Sequence, residues 1–194
     1  MSFFAICIIS YLFGSILFGV LIAKVFDLGD LREKGSGNVG ATNVMRVGGK
    51  RWLGILTAAS DGLKGFIPVI IATYFCLTNL ELRIIGCLAV IGHMFPIWYG
   101  FKGGKGIATF IGMNLALNPL IGVEMCLTWI IMFLIKKISS LSSIVMVTTC
   151  IVGYLYNFGP VQSSPIIGTS IIILLKHRKN IVGLLKGTEK SLKI

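Results

Sequence analysis

The sequence predicts an all-α, polytopic integral membrane protein with seven transmembrane helices, the N-terminus outside and the C-terminus cytoplasmic. Three observations carry this expectation: a composition too apolar for a soluble chain, long apolar segments separated by short gaps, and basic residues gathered in alternate gaps. Of 194 residues, 55% are hydrophobic and 13% charged, and the mean hydropathy is +0.91, far outside the soluble range. The apolar segments consume most of the chain and leave no room for a soluble domain. Residues 1–194 are therefore expected to form a single membrane-embedded domain.

The first apolar run, at about 3–26, has neither a basic flank nor a small-residue cleavage site, so it reads as a retained helix. Further segments follow at about 52–78, 84–99, 107–117, 119–135, 143–156 and 164–175. The stretch from Ile107 to Ile135 is too long for one ordinary span and is interrupted at Asn118-Pro119, where proline removes a helix donor. Its first half rises only about 16 Å against a hydrocarbon core of about 30 Å. A re-entrant hairpin is the alternative there, and both readings put residues 107 and 135 on one side. Cys7, Cys76, Cys87, Cys126 and Cys150 lie in apolar stretches without C-x-x-C spacing. They read as small core residues, not as disulfides or metal ligands.

Orientation follows from the eighteen basic residues. Arg32, Lys34, Arg46, Lys50 and Arg51 occupy the first loop, Lys102 and Lys105 the third, Lys136 and Lys137 the fifth, and Lys176, Arg178, Lys179, Lys186, Lys190 and Lys193 the tail. With the N-terminus outside and seven crossings, all of these face the cytoplasm. The opposite loops, including NLELR and NFGPVQSS, contain only Arg83.

The polar motifs fall on the same basic face. GSGNVGATNVMR, from Gly35 to Arg46, contains G-x-G-x-x-G, but the charged DLGDLREK before it cannot be a buried parallel strand, so the dinucleotide reading fails. The stretch can instead run into a short helix, ATNVMR, closed by Gly48-Gly49, with Ser36 or Asn38 as cap. Its start offers N–H groups to an anion, and Thr42, Asn43 and Arg46 sit at helical spacing, where they can converge on one ligand. An ordinary capped surface helix is the competing account. GHMFPIWYGFKGGKGIAT, residues 92–109, is not a P-loop, because Lys105 is followed by Gly106. Lys102 and Lys105 bracket Gly103 and Gly104 at a helix start, which suits phosphate; flanking positive charge explains the lysines but not the glycines. In KHRKNIVGLLKGTE, from Lys176, His177 and Asn180 stand one turn apart, whereas Lys186, Lys190 and Lys193 read as headgroup anchors.

At membrane depth, Asp61, Lys64, His93 and Glu124 are costly unless paired or facing a polar cavity. Asp61 and Lys64, three apart on a helix, can pair, and Lys64 lies near enough to the basic face to reach an anion. Glu124 has no assignment.

The stretches SGNVGATNVMR, DGLKG, GHMFPIWYGFKGGKGIAT, ISSLSS and HRKNIVGLLKGTE, in this order from residue 36 to 189, closely resemble the bacterial acyl-phosphate:glycerol-3-phosphate acyltransferases of the PlsY type. The resemblance implies a seven-helix protein of the bacterial plasma membrane, its site facing the cytoplasm, that transfers a fatty acyl group from acyl phosphate to the 1-position of glycerol 3-phosphate. Two positions depart from the family pattern: Lys179, commonly Glu, and Gly183, commonly Arg. Motifs and resemblance together give Ser36, Arg46, Lys105, His177 and Asn180 as catalytic residues. Gly37, Asn38, Thr42, Asn43, Lys64, His93, Lys102, Gly103 and Gly104 are expected to bind substrate. The expected partners are acyl phosphate, glycerol 3-phosphate and membrane lipid, with no cofactor, metal, nucleic acid or obligatory protein partner.

That chemistry is within reach of these residues. An acyl phosphate is a mixed anhydride with an activated carbonyl, so cations and hydrogen-bond donors for the leaving phosphate matter more than an enzyme nucleophile. No H-x-x-x-x-D is present: five residues after His93 is Trp98, and after His177 is Val182. Direct attack by the glycerol hydroxyl is expected, with a substrate phosphate oxygen or His177 taking the proton and Ser36 binding phosphate without becoming acylated. The alternative, a small transporter of phosphate or an organic anion, would be expected to show inverted repeats and a midplane site. No repeat is visible, and the motifs gather at one face.

Overall fold

The computed structural model describes residues 2–191, which fold as two compact units, one ending at Leu117 and one starting at Asn118. No strand occurs among the described residues. The first unit contains α1 (Phe3–Gly14), α2 (Phe18–Val25), α3 (Ala41–Gly48), α4 (Arg51–Thr73), α5 (Asn79–Met94) and α6 (Ile107–Leu117). The second contains α7 (Pro119–Lys136), α8 (Ser139–Lys176) and α9 (Arg178–Leu185). Five segments are long and apolar enough to cross a membrane: Phe3–Val25, Arg51–Thr73, Asn79–Tyr99, Pro119–Lys136 and Ser139–Lys176. The expected Lys193 lies outside the described residues.

α4 organises the first unit. Asp61, Gly65, Pro68, Val69 and Ala72 form its buried stripe, while Leu63, Ile67 and Ile71 are exposed on the opposite side, as expected of a helix facing protein on one side and lipid on the other. Its glycines admit neighbouring backbones. Gly54 lies against the Ala41 carbonyl and Met45 of α3, and Gly65 against the Thr109 backbone of α6. Gly112 of α6 returns the contact onto Gly62.

Local signals set several boundaries. α7 begins at Asn118, whose side chain accepts from the N–H groups of Leu120 and Ile121, with Pro119 in the first turn. α3 closes on Gly49 in the left-handed conformation, at the expected glycine pair. Its N-cap is Gly40, however, without a side-chain cap, which replaces the expected Ser36 or Asn38.

Other boundaries depart from the hydropathy pattern. The first apolar run is two helices separated at Ser15–Leu17, because the Ile16 carbonyl accepts from the Lys64 ammonium of α4. α5 starts at Asn79, inside the expected loop, through a capping box in which Thr78 and Glu81 satisfy each other's backbone. Arg83 consequently sits in a helix and is buried. The last two apolar segments form one run, α8, interrupted at Gly159, where φ is 69° and Pro160 follows. Among the cysteines, Cys87 and Cys150 are buried as expected, Cys7 and Cys126 are half-buried, and Cys76 is exposed beyond the end of α4.

Candidate functional site

The first polar loop is built around Asn43. This residue is buried in α3, and its side-chain oxygen accepts from the Ser36 N–H at 2.8 Å while its amide nitrogen donates to the carbonyls of Leu31 and Lys34 at 3.0 Å each. Asn43 therefore shapes the loop from inside, a correction to the expectation that its amide joins Thr42 and Arg46 on a ligand. Thr42 and Arg46 remain one turn apart on a half-buried face of α3. Ser36 and Gly37 are exposed and Asn38 is half-buried. The Ser36 hydroxyl and the Arg46 guanidinium have no hydrogen-bond or ionic partner among the described residues.

The third loop wraps the end of α5. The Phe101 N–H donates to the Pro96 carbonyl at 2.9 Å and the Gly104 N–H to the His93 carbonyl at 3.1 Å. Gly103 lies against the His93 carbonyl and Pro96, and Gly104 lies against the His93 ring, so a side chain at either position would collide. Gly106, at φ 84°, turns the chain into α6. Lys102 is exposed and Lys105, between the buried Gly104 and Gly106, is half-buried.

The two loops are held together. The Arg32 guanidinium donates to the Lys102 carbonyl at 3.4 Å and lies 5.8 Å from the centre of the Tyr99 ring. Both helices that follow the loops pack on α4, with Gly54 under the start of α3 and Gly62 under Ala108 near the start of α6. The two positions are separated by about 12 Å of helix rise. Ser36, Thr42 and Arg46 from one loop and Lys105 from the other thus share one scaffold.

Lys64 and His93, both expected to bind substrate, are interior. Lys64, Asp61 and His93 are 0%, 2% and 3% exposed. The Lys64 ammonium lies 2.9 Å from the Asp61 carboxylate and also donates to the Ile16 carbonyl, and Nδ1 of His93 lies 3.6 Å from the same carboxylate oxygen. The Asp61–Lys64 pair is as expected, and lysine and histidine both engage Asp61 in the interior of the unit. No motif spacing shows that His93, from another helix, joins the pair.

In the second unit, His177 is buried at the junction of α8 and α9, with Nδ1 2.8 Å from the Ile173 carbonyl. A carbonyl only accepts, so Nδ1 carries the proton in that contact. One turn on, Asn180 donates to Glu189 at 2.7 Å, and Ser140 donates to the same carboxylate oxygen at 2.7 Å. Glu189 received no role from the sequence beyond its place in the KGTE ending. Gly183, one of the two departures, lies under that carboxylate.

Comparison with known proteins bears on what this arrangement does. Residues 4–187 match the protein-family model described as glycerol-3-phosphate acyltransferase. The chain is 44% identical over 192 residues to the glycerol-3-phosphate acyltransferase of Wolbachia pipientis subsp. Culex pipiens, covering 98% of this chain and 99% of the relative. It is 41% identical to that of Ruthia magnifica, covering 98% and 96%. Among solved structures it is similar to PlsY (YgiH), an integral membrane glycerol 3-phosphate acyltransferase. For the glycerol 3-phosphate form the TM-score is 0.93 at 40% identity, and for the lysophosphatidic acid form 0.88 at 38%, each covering 100% of this chain and 96% of that one.

Proposed function

Since the chain belongs to the glycerol-3-phosphate acyltransferase family, we propose that it transfers a fatty acyl group from acyl phosphate to the 1-hydroxyl of glycerol 3-phosphate, releasing lysophosphatidic acid and phosphate. The observation that carries this reading is a half-buried Arg46 and an exposed Ser36 hydroxyl, neither side chain with a partner among the described residues, on the scaffold that also holds the Lys105 loop. Cations and donors so arranged suit two phosphates and the charge that develops on one of them. Family membership sets the transporter alternative aside.

In the reaction, the glycerol hydroxyl oxygen attacks the acyl carbonyl carbon. The bond from that carbon to the phosphate oxygen breaks, and phosphate leaves with the electron pair. The hydroxyl proton passes to His177 or to a phosphate oxygen of the substrate. Ser36, Arg46 and Lys105 stabilise phosphate, Gly37, Asn38, Thr42, Lys102, Gly103 and Gly104 complete its binding, and Asn180 orients the acceptor. No acyl-enzyme forms.

The chain is read as one acyltransferase domain, residues 1–194, of the bacterial plasma membrane. Seven crossings follow when the short α6 is counted and α8 is divided at Gly159. The N-terminus then lies outside and the basic loops, with the site, face the cytoplasm. Purified protein supplied with an acyl phosphate and glycerol 3-phosphate is expected to produce lysophosphatidate and phosphate in equal amounts. Acyl-CoA should not replace the acyl phosphate; turnover with acyl-CoA alone would overturn the donor assignment.

A further inference from the structure

Three side chains with full or partial charge occupy the interior of the first unit without a direct place in the reaction above. Placing Asp61, Lys64 and His93 at membrane depth is expensive, and an arrangement of this kind is retained where it sets something in place. The Asp61 carboxylate is the centre, because both Nζ of Lys64 and Nδ1 of His93 approach the same oxygen. Its two arms lead to different elements. Through Lys64 it reaches the Ile16 carbonyl at the break between α1 and α2. Through His93 it reaches the phosphate loop, because the imidazole is the surface on which Gly104 rests and the His93 carbonyl takes the Gly104 N–H.

We propose that Asp61 and His93 are positioning residues for the reaction: the carboxylate fixes the imidazole ring, and the ring fixes the backbone of Gly103 and Gly104 and hence the direction of Lys105. Lys64 holds the carboxylate and closes the break above α2. The inference rests on the reading of Lys105 as a phosphate ligand, but asks a separate question of it, namely what aims the lysine. The absence of side chains at Gly103 and Gly104 has the same cause. A methyl at Gly104 would occupy the site of Nε2 of His93, so ring and loop cannot both keep their places.

This interlock is tested by a double-mutant cycle on His93 and Gly104 in the full-length protein, assayed with a saturated acyl phosphate and varied glycerol 3-phosphate. His93→Ala and Gly104→Ala are each expected to lower kcat/KM by about tenfold to a hundredfold, since misplacing a binding group by an ångström costs that order. In the double variant the methyl occupies space the ring has left. Its loss is therefore expected to be no greater than that of the worse single variant, a coupling that a general weakening of the fold does not produce. Losses that multiply in the double variant would sink the proposal. Should His93→Ala fail to yield folded protein, Asp61→Asn keeps shape while removing the charge that orients the ring. It is expected to raise KM for a phosphate-bearing substrate or lower kcat with the elution profile in detergent unchanged, and wild-type kinetics would again overturn the positioning role. Absence of turnover by the wild type would overturn the functional reading, and the proposal with it, whereas additivity in an active wild type overturns the proposal alone.

Discussion

The Arg32 guanidinium donates to the Lys102 carbonyl at 3.4 Å, which ties the first polar loop to the third across seventy residues of sequence. The bond is long and exposed, and a contact of that kind contributes about 1 kcal/mol or less. Arg32→Ala is accordingly expected to reduce kcat/KM by no more than about fivefold, through looser loops. A loss of a hundredfold or more would instead make Arg32 a direct ligand of substrate phosphate.

Arg46→Ala and Lys105→Ala test the proposal that these side chains hold phosphate. Deleting one such donor typically costs about a hundred- to a thousandfold in rate. Each variant is expected to lose activity on that scale while still inserting and eluting as folded protein. Near-normal turnover in either one would remove that residue from the site.

Ser36→Ala is expected to weaken phosphate binding. If the hydroxyl serves as a ligand and not as a nucleophile, as proposed, mass spectrometry of the wild type during turnover should find Ser36 unmodified. An acyl adduct at Ser36 that forms and decays at the catalytic rate would replace direct transfer with a two-step mechanism.

Glu189 accepts from both Asn180 and Ser140. Hydrogen bonds to a charged acceptor contribute about 1.5–3 kcal/mol, so Glu189→Ala is expected to lower kcat by about tenfold to a hundredfold through a misdirected Asn180. Glu189→Gln, which keeps an acceptor oxygen, should retain more activity than Glu189→Ala. If the two variants are equally impaired, the carboxylate charge rather than Asn180 orientation is what matters.

The exposed Cys76 gives a test of orientation without engineering. With the N-terminus outside, the turn after α4 is extracellular. Intact cells treated with a membrane-impermeant maleimide are therefore expected to label Cys76. In a cysteine-free background, Cys placed at Gln162 should label likewise, and Cys placed at Lys50 or Lys137 only after the membrane is opened. External labelling at Lys50 would invert the topology.

Hydropathy located five segments long and apolar enough to cross a membrane, because burial in lipid acts on every residue of a span, and Asn118-Pro119 marked its own turn. The start of α5 was also legible: Thr78 and Glu81 have capping-box spacing, but the apolar pattern begins only after Arg83 and conceals it. The break at Ser15–Leu17 left no local trace, because its cause is a lysine forty-eight residues away. In the proposed site, Ser36, Arg46 and Lys105 are residue types suited to phosphate, and the types were readable directly in the sequence. The direction of a side chain was not. Asn43 and Thr42 are neighbours in sequence and share a motif, yet helical geometry turns Asn43 into the loop while Thr42 stays on the side of Arg46. The contact of His93 with Asp61 was likewise hidden, since it joins two helices whose packing no spacing encodes.

The link between Lys64 and Ile16 also constrains how the protein is made. The first hydrophobic segment leaves the ribosome well before the lysine that stabilises its interruption, and a carbonyl withdrawn from helical bonding has no partner in lipid. Without α4, that carbonyl would have no partner at the break. The break therefore depends on a cation that a later segment carries into the bilayer.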